Sequence, residues 1–483
     1  MSILCLPRAR KLPANPLPSP RHLALTLVAG WLLLSSSLAR PAASAETPWP
    51  PPLRGSVHGT ISLRTNSFLT LPPSVVEKQA AGTIVPFDVA QSPPTVELAF
   101  HDQLGPQAAQ RRLWSSWGDL ALAADGRVYS GIGDHGNDAG GDARSFVYRW
   151  DPATRQLRQV VDMAKVIPPR PGQPAWSKIH AKLDEASDGR IYFSCTLNAS
   201  GKAGDPRYGF NEHLPGGQLY CYDPATDRVT IVAQLPPRRC TATSLLDRER
   251  NRWWCNLEAG GGDALFAIDL ATRKTLYRGP DNSVGFNRAF ALLRDGTLLF
   301  NGTNHLLRLN PATGAIHSTR TPLGVSPGMR CATRESREGH VYGVFQGSHE
   351  LFRYTPARDE LRLLGPSWLA GEYTTVCELS PDERFLYYLP GAHGRAWESG
   401  TPVIQFNLTT GRRKVLAFLA PAFADAHDYV PAGTYGMKIS ADGAALYVNF
   451  NGHATDRIRP KSMRPNGFGL TAFAAIHIPP SER

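Results

Sequence analysis

Two histidines, a tyrosine and an arginine have the types and spacing to move protons beside a carboxylate. Gly133-Asp134-His135-Gly136 sets one histidine in a glycine-rich turn, and Trp176-Ser177-Lys178-Ile179-His180 sets another at the start of an apolar stretch. Tyr208 and His213 follow in a long polar segment, and Arg239 comes after it. Removing a proton next to a carboxylate needs a cation on the carboxylate, a base for the proton and an acid for the leaving oxygen. Arg or His can fill the first role and Tyr or His the other two, because imidazole titrates near neutrality. The chemistry is β-elimination from an acidic sugar, with His135, His180, Tyr208 and Arg239 as the catalytic candidates. Plainer readings stand beside it: His180 as a buried strand histidine with a satisfied hydrogen bond, and His135 as one residue of an open turn.

These residues must be held by something, and the chain shows what. Six times a short apolar stretch runs into a similar tight turn, as in Asp151-Pro152-Ala153-Thr154, Asp223-Pro224-Ala225-Thr226, Asp269-Leu270-Ala271-Thr272 and Asn310-Pro311-Ala312-Thr313. Thr355-Pro356-Ala357-Arg358 and Asn407-Leu408-Thr409-Thr410 complete the set. An inner hairpin precedes each of these turns, with turns at Asp125-Gly126, Asp188-Gly189, Arg250-Asn251, Asp295-Gly296, Glu338-Gly339 and Asp382-Glu383; a seventh turns at Asp442-Gly443. Asp-Gly between alternating apolar runs is a hairpin signal, because glycine accepts the positive φ of such turns. The middle units recur at about 44 residues, the period of a four-stranded propeller blade.

The expected fold is therefore all-β: a seven-bladed β-propeller of four-stranded antiparallel blades. The seventh unit is incomplete at its end. Thr95–Phe100 is the best candidate for the missing strand, closing the ring and removing an exposed edge. The expected organisation is a signal peptide over residues 1–45, an N-terminal extension over 46–94 and the propeller over 95–483. A ring that closes on itself is expected to act as a monomer.

Propeller topology sorts the residues. The inner hairpin turns and the DPAT-type turns share one face, and the remaining loops share the other. That second face collects His135, His213, His305, His349, His393 and His453 from the loops. The segments leading into inner strands add His180, Arg239, Arg288, Arg330, Tyr373, His427 and Tyr435. Eight of the 14 histidines fall there. Functional residues gather on loops held by a rigid scaffold. His213, Arg288, Arg330, Tyr373, His393 and Arg395 are the substrate-binding candidates, although loops also collect polar residues by default.

Arg8, Arg10, Lys11 and Arg21 precede an apolar run from Leu23 to Leu34, and Ala43-Ser44-Ala45 offers a cleavage site. This reads as a secretory signal, so the protein is expected in the periplasm or outside the cell. Loss of Arg8, Arg10, Lys11, Arg21 and Arg40 takes the net charge from +11 to about +6. That balance suits general solubility or a polyanionic ligand. Without a basic tract, nucleic acid is not an expected partner, and no membrane span is expected after cleavage. Six cysteines remain after Cys5. Cys195 with Cys221 and Cys240 with Cys255 could each bridge neighbouring strands, or all six could be buried thiols. No CxxC spacing supports zinc, and the residues name no cofactor.

The stretches "GDHG…YRWDP" and "KIHAKLDEASDGRIYF", mainly within residues 117–230, resemble seven-bladed propeller polysaccharide lyases of the ulvan-lyase and oligouronide-lyase kind, and a broader group of exported bacterial propellers. The resemblance implies His, Tyr and Arg on the channel face, here His135, His180, Tyr208 and Arg239, with an acidic polysaccharide or oligosaccharide as partner. Oligogalacturonate lyases use a His-rich metal site; Gln346 and His349 echo it, but Leu351 stands where a further His is expected. "GIGDHGNDAGGDA" looks somewhat like the loops of quinone-dependent sugar dehydrogenases. Asp134, Asp138 and Asp142 could bind calcium there, or form a plain glycine-rich turn. Three function classes follow: a carbon–oxygen lyase on uronate glycans, a non-catalytic propeller binding glycan or protein, and a lactonase or quinone-dependent sugar oxidoreductase.

Overall fold

The computed structural model describes residues 48–483 apart from 106–107, 111–113, 135–143, 169–175, 196–215, 259–261, 323–327, 370–371, 373, 394, 462 and 464–466. The segment read as a signal peptide lies outside the described residues. So do His135, Asp138, Asp142, Tyr208, His213 and Tyr373.

Seven small antiparallel sheets form a β-propeller. Blade one runs outward through Ala121–Leu122, Val128–Gly133, Ser145–Asp151 and Gln156–Asp162. Blade seven pairs Tyr429–Ile439, Ala445–Ala454 and Ala472–His477, and its fourth strand is Thr95–Phe100 from the start of the chain. Thr95 stands opposite His477, and Phe100 opposite Ala472. The ring thus closes with the strand the sequence offers for it. Two further strands blunt the outer edges: Thr60–Leu63 adds to blade seven, and Asp88–Val89 adds in parallel to blade six. Covering an edge in this way leaves fewer unpaired backbone groups to recruit another chain.

The DPAT-type turns owe their regularity to one side chain. Asp151 accepts hydrogen bonds from the backbone N–H of Ala153 and Thr154, Asp223 from Ala225, Asp269 from Thr272, and Asn407 from Thr409 and Thr410. A short side-chain acceptor here replaces a backbone turn bond, which is why Asp and Asn occupy the position. Apolar faces of adjacent blades pack together in between. Trp150 against Phe473 and Tyr129 against Tyr222 are examples, with ring centroids 5.1 and 6.0 Å apart.

The innermost strands of blades one, two and four pair over only two residues each: Ala121–Leu122, Asp184–Glu185 and Ala291–Leu292. The alternating pattern predicts longer runs there. The preceding residues instead leave their sheets and pack along the channel. Gly118 passes so close to blade two that a Cβ on it would stand 2.3 Å from the Ala181 carbonyl oxygen. Backbone groups that leave a ladder need other partners. Buried amides supply them. Asn451 accepts from Ser116 N at 2.8 Å and donates to Ser116 O at 3.0 Å. Asn287 accepts from Asn301 N at 2.6 Å and donates to Gly285 O at 2.8 Å.

All six described cysteines are buried free thiols. Bridges between Cys195 and Cys221 or between Cys240 and Cys255 do not fit the strand registers. Cys195 faces Gln218 while Cys221 faces Tyr192, and Cys240 faces Glu258 while Cys255 faces Ser244. An offset of three residues at about 3.3 Å each exceeds the roughly 7 Å that a disulfide spans. No helix among the described residues is long and apolar enough to cross a membrane.

Candidate functional site

The residues that leave the inner strands meet at the channel mouth, on the face opposite the DPAT turns. They line a cavity of about 300 Å³. Trp117 comes from blade one, Lys178 and His180 from blade two, and Phe286 and Arg288 from blade four. Glu258 ends the second strand of blade three, and Arg330 lies in the inner strand of blade five. Gln346, His393 and Tyr435 complete the wall from blades five, six and seven.

Trp117 organises the cavity. Its indole N–H donates to Ser115 Oγ at 2.7 Å, and its carbonyl accepts from Arg288 Nη2 at 3.1 Å. Its ring stacks on Phe468 with centroids 5.6 Å apart and meets Tyr435 at 4.8 Å and His393 edge-on at 5.8 Å. Lys178 Nζ stands 4.9 Å from the centre of the same ring, and the Arg330 guanidinium stands 5.3 Å from that of Tyr435. Both cations are buried, and aromatic faces attract them by cation–π interaction. The cavity therefore combines aromatic surface with the charges of Lys178, Arg288 and Arg330.

His180 lies at its edge, with Nδ1 3.4 Å from Glu258 Oε1. The carboxylate also accepts a long 3.7 Å bond from the Cys240 thiol. The negative charge of Glu258 at this distance favours a proton on Nδ1 and leaves the opposite nitrogen as the basic one. Partial burial, with the positive charges of Arg330 and Arg288, holds His393 below the ordinary histidine value. His393 is thus neutral at pH 7 and adds no charge to the cavity.

Of the candidates read from the sequence, His180, Arg288, Arg330 and His393 come together here. Arg239 does not line the cavity. Its buried guanidinium donates to the Gly262 carbonyl at 2.5 Å and pairs with Asp281 at 3.4 Å, so it braces loops on the outer side of the mouth. Arg395 faces solvent and holds Glu398 with two bonds of 3.0 and 2.9 Å across a short helical turn. Asp134 closes its own loop, accepting from the Arg144 N–H at 2.7 Å. His349 and His453 lie on the same face outside the cavity. The His453 ring sits edge-on against Trp397, and burial lowers it to about 4. Among the described residues no group of three or more His, Cys, Asp or Glu is arranged to hold a metal ion. Trp117, Glu258 and Phe286 escape a reading built on histidines. The usable signal is their phase in the repeat: Trp117 with Asp119, Lys178 with His180, and Phe286 with Arg288 precede equivalent inner strands.

Below the cavity the channel narrows around a chain of charges. Lys438 of blade seven bonds to Asp119 of blade one and, at 2.8 Å, to Glu378 of blade six. Lys182 of blade two stands 3.5 Å from Asp119. Asp184, one further step down the same strand, is pushed up to about 6 by burial, against the pull of Lys182 and Lys438. A raised carboxyl favours the folded state below its unfolded value, near 4, and loses that contribution as pH rises through 6. Asp184→Asn is expected to raise the melting temperature relative to the native chain at pH 7 and to have little effect at pH 4. Melting curves at the two pH values check this; equal shifts at both would count against it.

No family model and no curated protein matches the chain. Among solved structures, the chain is similar to a catalytically inactive virginiamycin B lyase from Staphylococcus aureus with quinupristin, at 12% identity and a TM-score of 0.48 over 78% of this chain and 99% of that one. An oligogalacturonate lyase in complex with manganese matches at 11% identity and 0.46, over 83% and 97%. The hydrazine synthase of Kuenenia stuttgartiensis matches at 12% and 0.46, over 71% and 96%. Two of the three are lyases and the third is a synthase, and similarity at this level carries no argument about activity; the fold rests on the seven sheets themselves.

Proposed function

We propose that the channel-mouth cavity is the active site of a lyase that cleaves uronate glycans by β-elimination. The observation that carries this reading is the meeting of Lys178, Arg288 and Arg330 with a His180–Glu258 pair over an aromatic floor. The cations neutralise the uronate carboxylate, which makes the neighbouring C–H proton easier to remove. His180, oriented by Glu258, takes that proton. The C–H electrons form a carbon–carbon double bond as the glycosidic C–O bond breaks. The leaving oxygen receives a proton from Tyr435, whose ring lies against the Arg330 guanidinium. Trp117 and Phe286 offer apolar surface to the sugar ring.

Incubation with a panel of uronate polymers tests this. The expected result is a rising ultraviolet absorbance from an unsaturated uronate end. Binding to the same polymers without any such product would replace the lyase with a glycan-binding propeller. Arg330→Ala is expected to lower kcat/KM by about ten- to a hundredfold, the worth of one charge-assisted hydrogen bond. Arg395→Ala, on the solvent side of the same face, is expected to change it little; comparable losses in both variants would point away from the cavity.

A further inference from the structure

We propose that Cys331 and Cys377 form a site of disulfide modification that clips blade five to blade six directly beneath the cavity, made by exchange with a small disulfide oxidant. The two residues sit on the innermost strands Met329–Ala332 and Thr374–Leu379. Both line the narrow part of the channel. Both belong to one apolar cluster that spans the two blades and includes Val344, Tyr388 and Ile404. The two strands are neighbours in the ring, and the Cys331 thiol lies close enough to Cys377 to disfavour its ionisation. Within the hairpins the strand registers hold Cys195 from Cys221 and Cys240 from Cys255 by three residues or more.

The exchange needs no metal and no group beyond the oxidant. One thiol loses its proton and attacks a sulfur of the oxidant, releasing one thiol and leaving a mixed disulfide. The second thiol loses its proton and displaces the remaining half. Two S–H bonds are lost and one S–S bond is formed, while the oxidant disulfide becomes two thiols. The neighbouring Cys331 thiol, together with burial, holds Cys377 well above its ordinary value. The thiolate is therefore scarce at neutral pH, and the reaction is expected to be faster in alkali. The channel gives access to small oxidants only. Cys331 directly follows Arg330, so the link would fix the strand that carries this cation to the cavity.

Full-length protein is incubated with 2-hydroxyethyl disulfide, a small oxidant, then alkylated in denaturant and digested without reduction. Mass spectrometry is expected to find the Cys331 and Cys377 peptides joined, two hydrogens lighter than their sum, with Cys195, Cys221, Cys240 and Cys255 alkylated. The oxidised protein is expected to melt at a higher temperature than the reduced protein, since a cross-link restricts the unfolded chain. Cys377→Ser is expected to abolish the difference. Complete alkylation of both residues after exhaustive oxidation, mixed disulfides with the oxidant alone, or a different cysteine pair would overturn the proposal. These readouts do not involve glycans, so they stand apart from the lyase reading.

Discussion

Replacement of His180 by alanine is expected to lower kcat on a uronate polymer by on the order of 10²- to 10⁴-fold, the usual worth of a positioned general base. The fold is expected to survive, because the ring lines the channel-mouth cavity rather than an apolar cluster. The Glu258 carboxylate, 3.4 Å from Nδ1, is a positioning residue in this account. Glu258→Gln should therefore lower kcat with little change in KM, by a smaller factor than the loss of the base itself. The arginines predict the converse pattern. They meet the carboxylate before and during reaction, so their loss raises KM as well as lowering kcat. Steady-state kinetics on His180→Ala, Glu258→Gln and Arg330→Ala separate these roles. Full turnover by His180→Ala would remove the histidine from the chemistry.

Asp119→Ala is expected to destabilise the protein by on the order of 3 kcal/mol. The carboxylate is nearly enclosed, with its side chain 10% exposed. It joins the first blade to the last: it accepts from Met437 N at 3.1 Å, from Leu120 N at 2.9 Å and from the Lys438 ammonium. Alanine would leave Lys438 and Lys182 in the channel with only Glu378 and the neighbouring Asp184, among the acids of the described residues, to balance them, and would strand a buried N–H. Burial alone would raise Asp119, but the charges of Lys438 and Lys182 and the bonds from Lys438 and Leu120 outweigh it and hold the carboxyl below its ordinary value. A lowered folded value gives stability that is present above the unfolded value, near 4, and is lost as pH falls through the folded one. The gap between the native chain and Asp119→Ala should thus hold steady through neutral pH and shrink in acid below about pH 4. Denaturant melts at pH 7 and pH 3 measure both. A gap that widens in acid would contradict this account of ring closure.

The DPAT-type turns and inner hairpins made the ring legible, because each depends on residues adjacent in sequence: an Asp or Asn acceptor and a glycine or other left-handed residue. Thr95–Phe100 was legible as the closing strand because the seventh unit lacked one. The cavity was less so. His180, Arg288, Arg330 and His393 come from four blades, and only the repeat phase relates them. Arg239 occupies a position in the repeat similar to theirs, yet its side chain turns to Gly262 and Asp281 instead of the channel. Alternation along a strand decides that, and the last residue before a strand can fall on either side. The disulfide pairing failed for a related reason. Hairpin proximity allowed Cys240 with Cys255 beside the alternative of buried thiols, but register decides which residues face each other, and the buried thiols are what the fold contains.

The central claim is that the channel-mouth cavity breaks a glycosidic bond by elimination rather than by hydrolysis or binding alone. The most direct measurement is the mass of the products formed from uronate oligosaccharides of defined length in isotopically labelled water. The account predicts fragments whose masses sum to that of the substrate, one with an unsaturated end and neither carrying label, and no such fragments from His180→Ala. Fragments that gain labelled water, or substrates that are bound and returned intact, would contradict it.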